Sequence, residues 1–186
     1  MKWALVAALL ALVHMPIYAN QLTGKVVGVL DGDTLDVLSP ANVSYRVRLT
    51  GIDAPEKSQP FGQSAKQLLS ELAFARPVTV TWQKNDRYGR VVGKAEVAGK
   101  DLGLTMIANG LAWHYKQYQA EQVAKDRALY NDSEIQARST RKGLWSEPDP
   151  TPPWDYRKGS ALSKTQASSS PCPCAGGAAC HGPKGG

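Results

Sequence analysis

The order of strand-like and helix-like stretches between residues 22 and 97 limits the folds open to this chain. Three strand-like stretches come first: 22–30 (LTGKVVGVL), rich in Val and Leu, then 34–38 (TLDVL), then 43–50 (VSYRVRLT). Asp31-Gly32-Asp33 reads as a hairpin turn between the first two, and Ser39-Pro40-Ala41-Asn42 as the next turn. A helical period follows over 62–74, with Ala65, Leu68, Leu69 and Leu72 on one face. Arg76-Pro77 ends it. Strand patterns return at 78–82 (VTVTW) and 90–97 (RVVGKAEV), separated by the turn KNDRYG. The third stretch alternates strictly. Val43, Tyr45, Val47 and Leu49 face one way, so Arg46 and Arg48 should leave the sheet on the side away from the core.

Two strands in a hairpin, a third strand, a helix and a second hairpin describe a small closed sheet with a helix inserted between strands three and four. That is the pattern of a five-stranded OB-type barrel of the α+β class. Barrels of this kind bind polyanions and single strands. Further on, Asp101 is placed to N-cap a short helix through Ala108, stopped by Asn109-Gly110. Residues 121–142 read as a polar helix ending at Gly143, after which Leu144 and Trp145 are expected to fold back on the core.

The formal charge of +6 suits a polyanionic partner, although many exported proteins are mildly basic without one. Export is the expectation here. Lys2, the apolar run Trp3 to Val13 and the box Ile17-Tyr18-Ala19 read as a signal peptide cleaved after Ala19, which points to a secreted or periplasmic protein. The run is short for a membrane span, and a retained N-terminal anchor is the alternative. No second apolar run follows it, so the mature protein is expected to be soluble and free of the membrane; a monomer is also expected. The domain is expected over 20–147. The remainder, 148–186, is rich in Pro, Gly and Ser and reads as a disordered tail. Cys172, Cys174 and Cys180 all lie there, so the core does not depend on disulfides. With His181 they could hold a metal, or pair with one another or with a partner protein.

Asp33 closes the first hairpin turn, and Asp53 lies in the loop that follows the third strand. Two such loops can sit side by side in a barrel, and hard oxygen ligands from them would suit Ca²⁺ or Mg²⁺. Taken singly, each acid is also ordinary turn or loop chemistry. Glu56 stands beyond Pro55, whose fixed φ limits where it points. It could serve as a general base or sit in a surface ion pair. Arg48 and Arg90 could grip phosphate bidentately or be solvated surface residues. The segment after the leader holds two histidines, His114 and His181, which argues against a two-histidine ribonuclease mechanism. No G-x-S-x-G elbow, phosphate-binding P-loop or H-E-x-x-H motif occurs.

Together these stretches are far more specific than they are singly. VLDGDTLDV (29–37), RLTGIDAPE (48–56), DRYGR (86–90), IANGLAW (107–113) and RKGLW (141–145) resemble, in order and spacing, the staphylococcal (micrococcal) nuclease or thermonuclease family over roughly 22–146. The resemblance implies a five-stranded OB barrel with three helices. It also implies a Ca²⁺-dependent phosphodiesterase that cuts DNA and RNA at the P–O5′ bond and leaves 3′-phosphates. Asp33 and Asp53 would be the Ca²⁺ carboxylates, with the backbone carbonyl of Ala54 as a third ligand and Asp31 behind them. Glu56 matches the general base, and Arg48 and Arg90 match the phosphate-binding arginines. Arg87 and Tyr88 match a basic-aromatic pair at the nucleotide site, and Tyr115 and Tyr118 fall near its tyrosines. The family also contains binding modules that have lost the site. Both metal Asp, Glu56 and both Arg are present here, which favours the enzyme.

Overall fold

The computed structural model describes residues 20–159. The expected leader, residues 160–186 and the three cysteines lie outside the described residues. Strands β1 (Asn20–Val29), β2 (Thr34–Leu38), β3 (Ser44–Leu49), β5 (Pro77–Asn85) and β6 (Val91–Val97) form the barrel. Their order is β3-β2-β1-β5-β6 with antiparallel neighbours, and β3 closes the ring against β6 in parallel, pairing Val47 with Val91 and Leu49 with Gly93. The alternating residues do what their period implies. Val26, Leu35, Val37, Val47, Leu49, Val80 and Val91 are buried inside the ring. Each such side chain contributes roughly 1.5–3 kcal/mol of hydrophobic stabilisation. Helix α1 (Gly62–Ala73) lays Ala65, Leu69 and Ala73 against that core, and α2 (Leu102–Ala108) adds Met106 and Ile107.

Several boundaries depart from the expected ones, each for a local reason. Strand β5 runs on to Asn85 because it pairs with β6 across an irregularity between Trp82 and Lys84, where exposed polar residues give no alternation. Asp101 caps α2 as expected, accepting the Leu104 N–H at 3.0 Å, and Tyr130 also donates its hydroxyl to that carboxylate. The helix expected over 121–142 is shorter. Gln122 turns inward to bond the buried His114 ring at 2.8 Å, so α3 begins only at Ala124 and ends at Ser139. Leu144 and Trp145 do fold back, in a second apolar cluster with Trp113 and Ala137.

Three strands of two residues each were not legible as strands. Chain that reads as loop forms β4 (Ile52–Asp53), which pairs with β8 (Trp113–His114). The remaining short strand, β7 (Lys100–Asp101), pairs with the end of β6. Part of the expected tail is ordered. Residues 153–159 are helical (α4), and Pro153 is buried against the domain.

Gly110 is needed for two reasons. Its φ is +65°, and a Cβ there would run into the backbone carbonyl of Lys142, while its own carbonyl accepts the Leu144 N–H at 2.9 Å. Gly110→Ala is expected to cost about 2 kcal/mol, read as a lower urea midpoint at unchanged slope. An unchanged midpoint would show that the 110–143 contact does not hold this end of the domain.

Candidate active site

Glycine at position 32 is what brings the two acidic loops together. It lies outside the left-handed region, so an Asp-Gly turn preference does not explain it. A Cβ at position 32 would lie 2.6 Å from Ala54 Cβ and 2.7 Å from Ala65 Cβ. Only a bare backbone lets the β1–β2 turn press on the loop after β4 and on α1. Asp33 then reaches across to accept the Ala54 N–H at 3.2 Å and the Thr34 hydroxyl at 2.9 Å. Asp53 is fixed by the β4–β8 pairing and is 1% exposed.

Arg48 lies between these carboxylates. Its Nη2 is 2.7 Å from Asp53 Oδ1 and 3.4 Å from Asp33 Oδ2, and Nη1 donates to the Ile52 carbonyl at 3.1 Å. Burial works against its charge, but Asp33 and Asp53 outweigh burial and hold the guanidinium protonated. Burial pushes the Asp53 carboxyl up and Asp33 adds to that, against the hydrogen bond from Arg157 and the charge of Arg48. Burial, and then the charge of Asp33, push Asp31 up to about 6. Burial thus disfavours the ionised form of both acids, and a cation beside them would favour it.

The ten residues expected to act in catalysis, metal binding and substrate binding line one open cleft of about 740 Å³, Asp33, Asp53, Ala54, Glu56, Arg48, Arg90, Arg87, Tyr88, Tyr115 and Tyr118, and Asp31 lines it with them. Arg90 is oriented by Asp86, to which it donates Nε at 2.7 Å and its backbone N–H at 3.0 Å. Arg87 and Arg90 both lie over the Tyr88 ring, at 4.9 and 5.7 Å. Tyr115 and Tyr118 meet edge to face at 5.0 Å on another wall. Glu56 has its backbone N–H bound by Gln59 at 3.1 Å, and its side chain stands at the cleft surface.

The donor chemistry fits a hard divalent cation. Asp33, Asp53 and the Ala54 carbonyl offer oxygen only. They do not form a ready cage: among the described residues no group of three or more His, Cys, Asp or Glu side chains is set to hold a metal ion. Water and substrate oxygens would have to complete the shell.

Sequence reasoning missed Arg157. From α4 it donates Nη2 to Asp53 Oδ2 at 2.7 Å and Nη1 to Glu56 Oε1 at 2.6 Å. Both carboxylates draw it strongly enough to outweigh its burial. Trp154 was missed as well, and it stacks on Tyr115 at 5.2 Å with 12° between the rings. The signal was present in PPWDYRK, since two aromatics and two cations in seven residues are unlike a disordered tail.

A closed five-stranded barrel with an acidic and arginine-rich cleft at the β1–β2 turn and the β3 exit defines a nucleic-acid-processing OB protein. The chain belongs to the staphylococcal nuclease family: residues 46–147 match the family described as staphylococcal nuclease homologue. It is 40% identical over 166 residues to a micrococcal nuclease of Shigella flexneri, covering 84% of this chain and 92% of that one. It is 39% identical over 143 residues to an uncharacterized endonuclease of Escherichia coli, covering 76% and 89%. A similar likeness, 39% over 164 residues, links it to the protein ParB of Escherichia coli, covering 83% and 89%. The protein is a nuclease, a hydrolase acting on nucleic acid.

Proposed function

We propose that this protein is an exported Ca²⁺-dependent endonuclease that hydrolyses phosphodiester bonds of DNA and RNA and leaves 3′-phosphates. One observation carries the reading: a single cleft gathers the Asp33–Asp53 pair, Glu56, Arg48 and Arg90. Asp33, Asp53 and the Ala54 carbonyl would hold the cation. When bound, it would supply positive charge to the substrate phosphate and a site for water. Glu56 accepts the proton of the attacking water. Arg48 and Arg90 hold the phosphate oxygens and offset the charge that builds up as the water attacks phosphorus and the 5′-oxygen leaves. Tyr115 and Tyr118 offer ring faces for bases, and the Arg87–Tyr88 pair lines the nucleotide site.

A loose, oxygen-only shell tolerates Ca²⁺ better than Mg²⁺, which demands tight octahedral geometry. Strong cleavage with Ca²⁺, little with Mg²⁺ and fragments that a 3′-phosphatase alters are the expected results. Equal rates with both cations, or fragments bearing 5′-phosphates, would contradict the cation and the bond assigned. The leader that supports export lies in residues 1–19. N-terminal sequencing of exported protein tests it, with Asn20 the expected first residue.

A further inference from the structure

The segment that leads to α4, and α4 itself, are bound to the domain at several points. Gln59 donates its side-chain amide to the Thr151 carbonyl, and the Tyr156 hydroxyl meets Ser58 Oγ at 3.2 Å. Trp154 packs edge to face on Trp113 at 5.6 Å while stacking on Tyr115. At the end of this strap the Arg157 guanidinium spans Asp53 and Glu56.

We propose that residues 148–159 are a built-in inhibitor in which Arg157 occupies the cation's position and Trp154 the base-stacking face of Tyr115. This rests on the metal reading above. Asp53 is almost wholly buried and both its oxygens are engaged by arginines, Oδ1 by Arg48 and Oδ2 by Arg157. A dication that coordinates Asp53 must compete for the oxygen that Arg157 holds, and the two positive charges repel at that short range. Glu56, paired with Arg157, is also drawn away from a water it would activate. Tethering keeps the guanidinium at high effective concentration beside the site. Substrate and cation together would lift the strap, with a base replacing the indole on Tyr115. A closed form populated at about 90% lowers apparent cation affinity about tenfold.

The test is Ca²⁺ titration calorimetry on the full mature chain, with hydrogen exchange followed at 153–159. Arg157→Gln is expected to bind Ca²⁺ at least about tenfold more tightly. Trp154→Ala, which removes no charge, should move the affinity the same way, and Lys158→Gln on the same helix should leave it unchanged. In the native chain, saturating Ca²⁺ should speed exchange at 153–159. Equal affinity in native and Arg157→Gln proteins overturns the strap, and so does a gain in Arg157→Gln that Trp154→Ala does not share. Reduced nuclease turnover in Arg157→Gln at unchanged affinity also overturns it, because it would make Arg157 a working group. Absence of Ca²⁺ binding in every variant overturns the metal reading itself, and the competition with it.

Discussion

Arg48→Lys and Arg90→Lys are each expected to cut turnover about a hundredfold while the barrel stays folded. Lysine keeps the positive charge but presents a single point, whereas Arg48 spreads its donors over Asp53 and the Ile52 carbonyl, beside the place assigned to phosphate. Arg90 is anchored through Nε by Asp86, an attachment that an ammonium cannot copy in the same plane. Losing one oriented donor at a charge-accumulating transition state costs on the order of 3 kcal/mol, which is about a hundredfold in rate. The measurement is kcat on plasmid DNA at saturating Ca²⁺, with circular dichroism and a thermal melt as the check on folding. Turnover near the native value in a folded variant would remove that arginine from the mechanism.

Glu134→Ala is expected to be strongly destabilising although it lies outside the cleft. This carboxylate is 1% exposed, yet its reach extends to the site. From α3 it accepts the backbone N–H of His114 at 3.1 Å, and it pairs with Lys116 at 3.0 Å and Arg138 at 3.3 Å. His114 belongs to β8, the strand that pairs with β4 and so fixes Asp53. Removing the acceptor strands a buried N–H and leaves two neighbouring cations facing each other. Lys116 and Arg138 are half exposed, so their share of the cost is discounted for solvent. The total is about 3 kcal/mol, or roughly 10 °C in the melting temperature of a domain this size. Glu134→Gln keeps an acceptor for the His114 N–H and should recover part of the loss. A melting temperature unchanged in Glu134→Ala would show that β8 is held by the aromatic cluster around Trp113 alone.

The parts of this protein that repeat a period were legible in its sequence. Strict alternation over 43–50 put Val47 and Leu49 in the core and Arg48 on the other face, as the structure has them, whereas Val43, read as core-facing, precedes the strand and is exposed. The Ala65–Leu69 face of α1 and the Asp101 cap followed from spacing and capping chemistry in the same way. What escaped carries no period. Strands β4 and β8 are two residues long, too short to alternate, and they exist because Asp53 and Trp113 are brought together by the whole fold. Gly32 reads as a turn residue but is required by close approach to Ala54 and Ala65, a distant contact that local sequence does not show.

The contacts made beyond residue 147 were missed for a related reason. Proline and glycine content marks a change at Glu147, and the chain beyond it was expected to be disordered. Trp154 and Arg157 bind to partners about forty and one hundred residues upstream, so their role follows from contacts that composition does not report. Truncation after Glu147 therefore removes a segment that touches the cleft, not only a tail.

The nuclease reading of the cleft is tested most directly by cleavage of supercoiled plasmid and of RNA, using native protein and an Asp53→Asn variant purified side by side. Each is assayed in Ca²⁺ and in EGTA. Native protein is expected to cut both substrates in Ca²⁺ and neither in EGTA, because ionised ligands and their cation are both required. Asp53→Asn, folded by circular dichroism, should be silent throughout. Cleavage by native protein that persists in EGTA, or cleavage by Asp53→Asn at the native rate, would contradict the assignment of Asp33, Asp53 and Ala54 as the centre of the reaction.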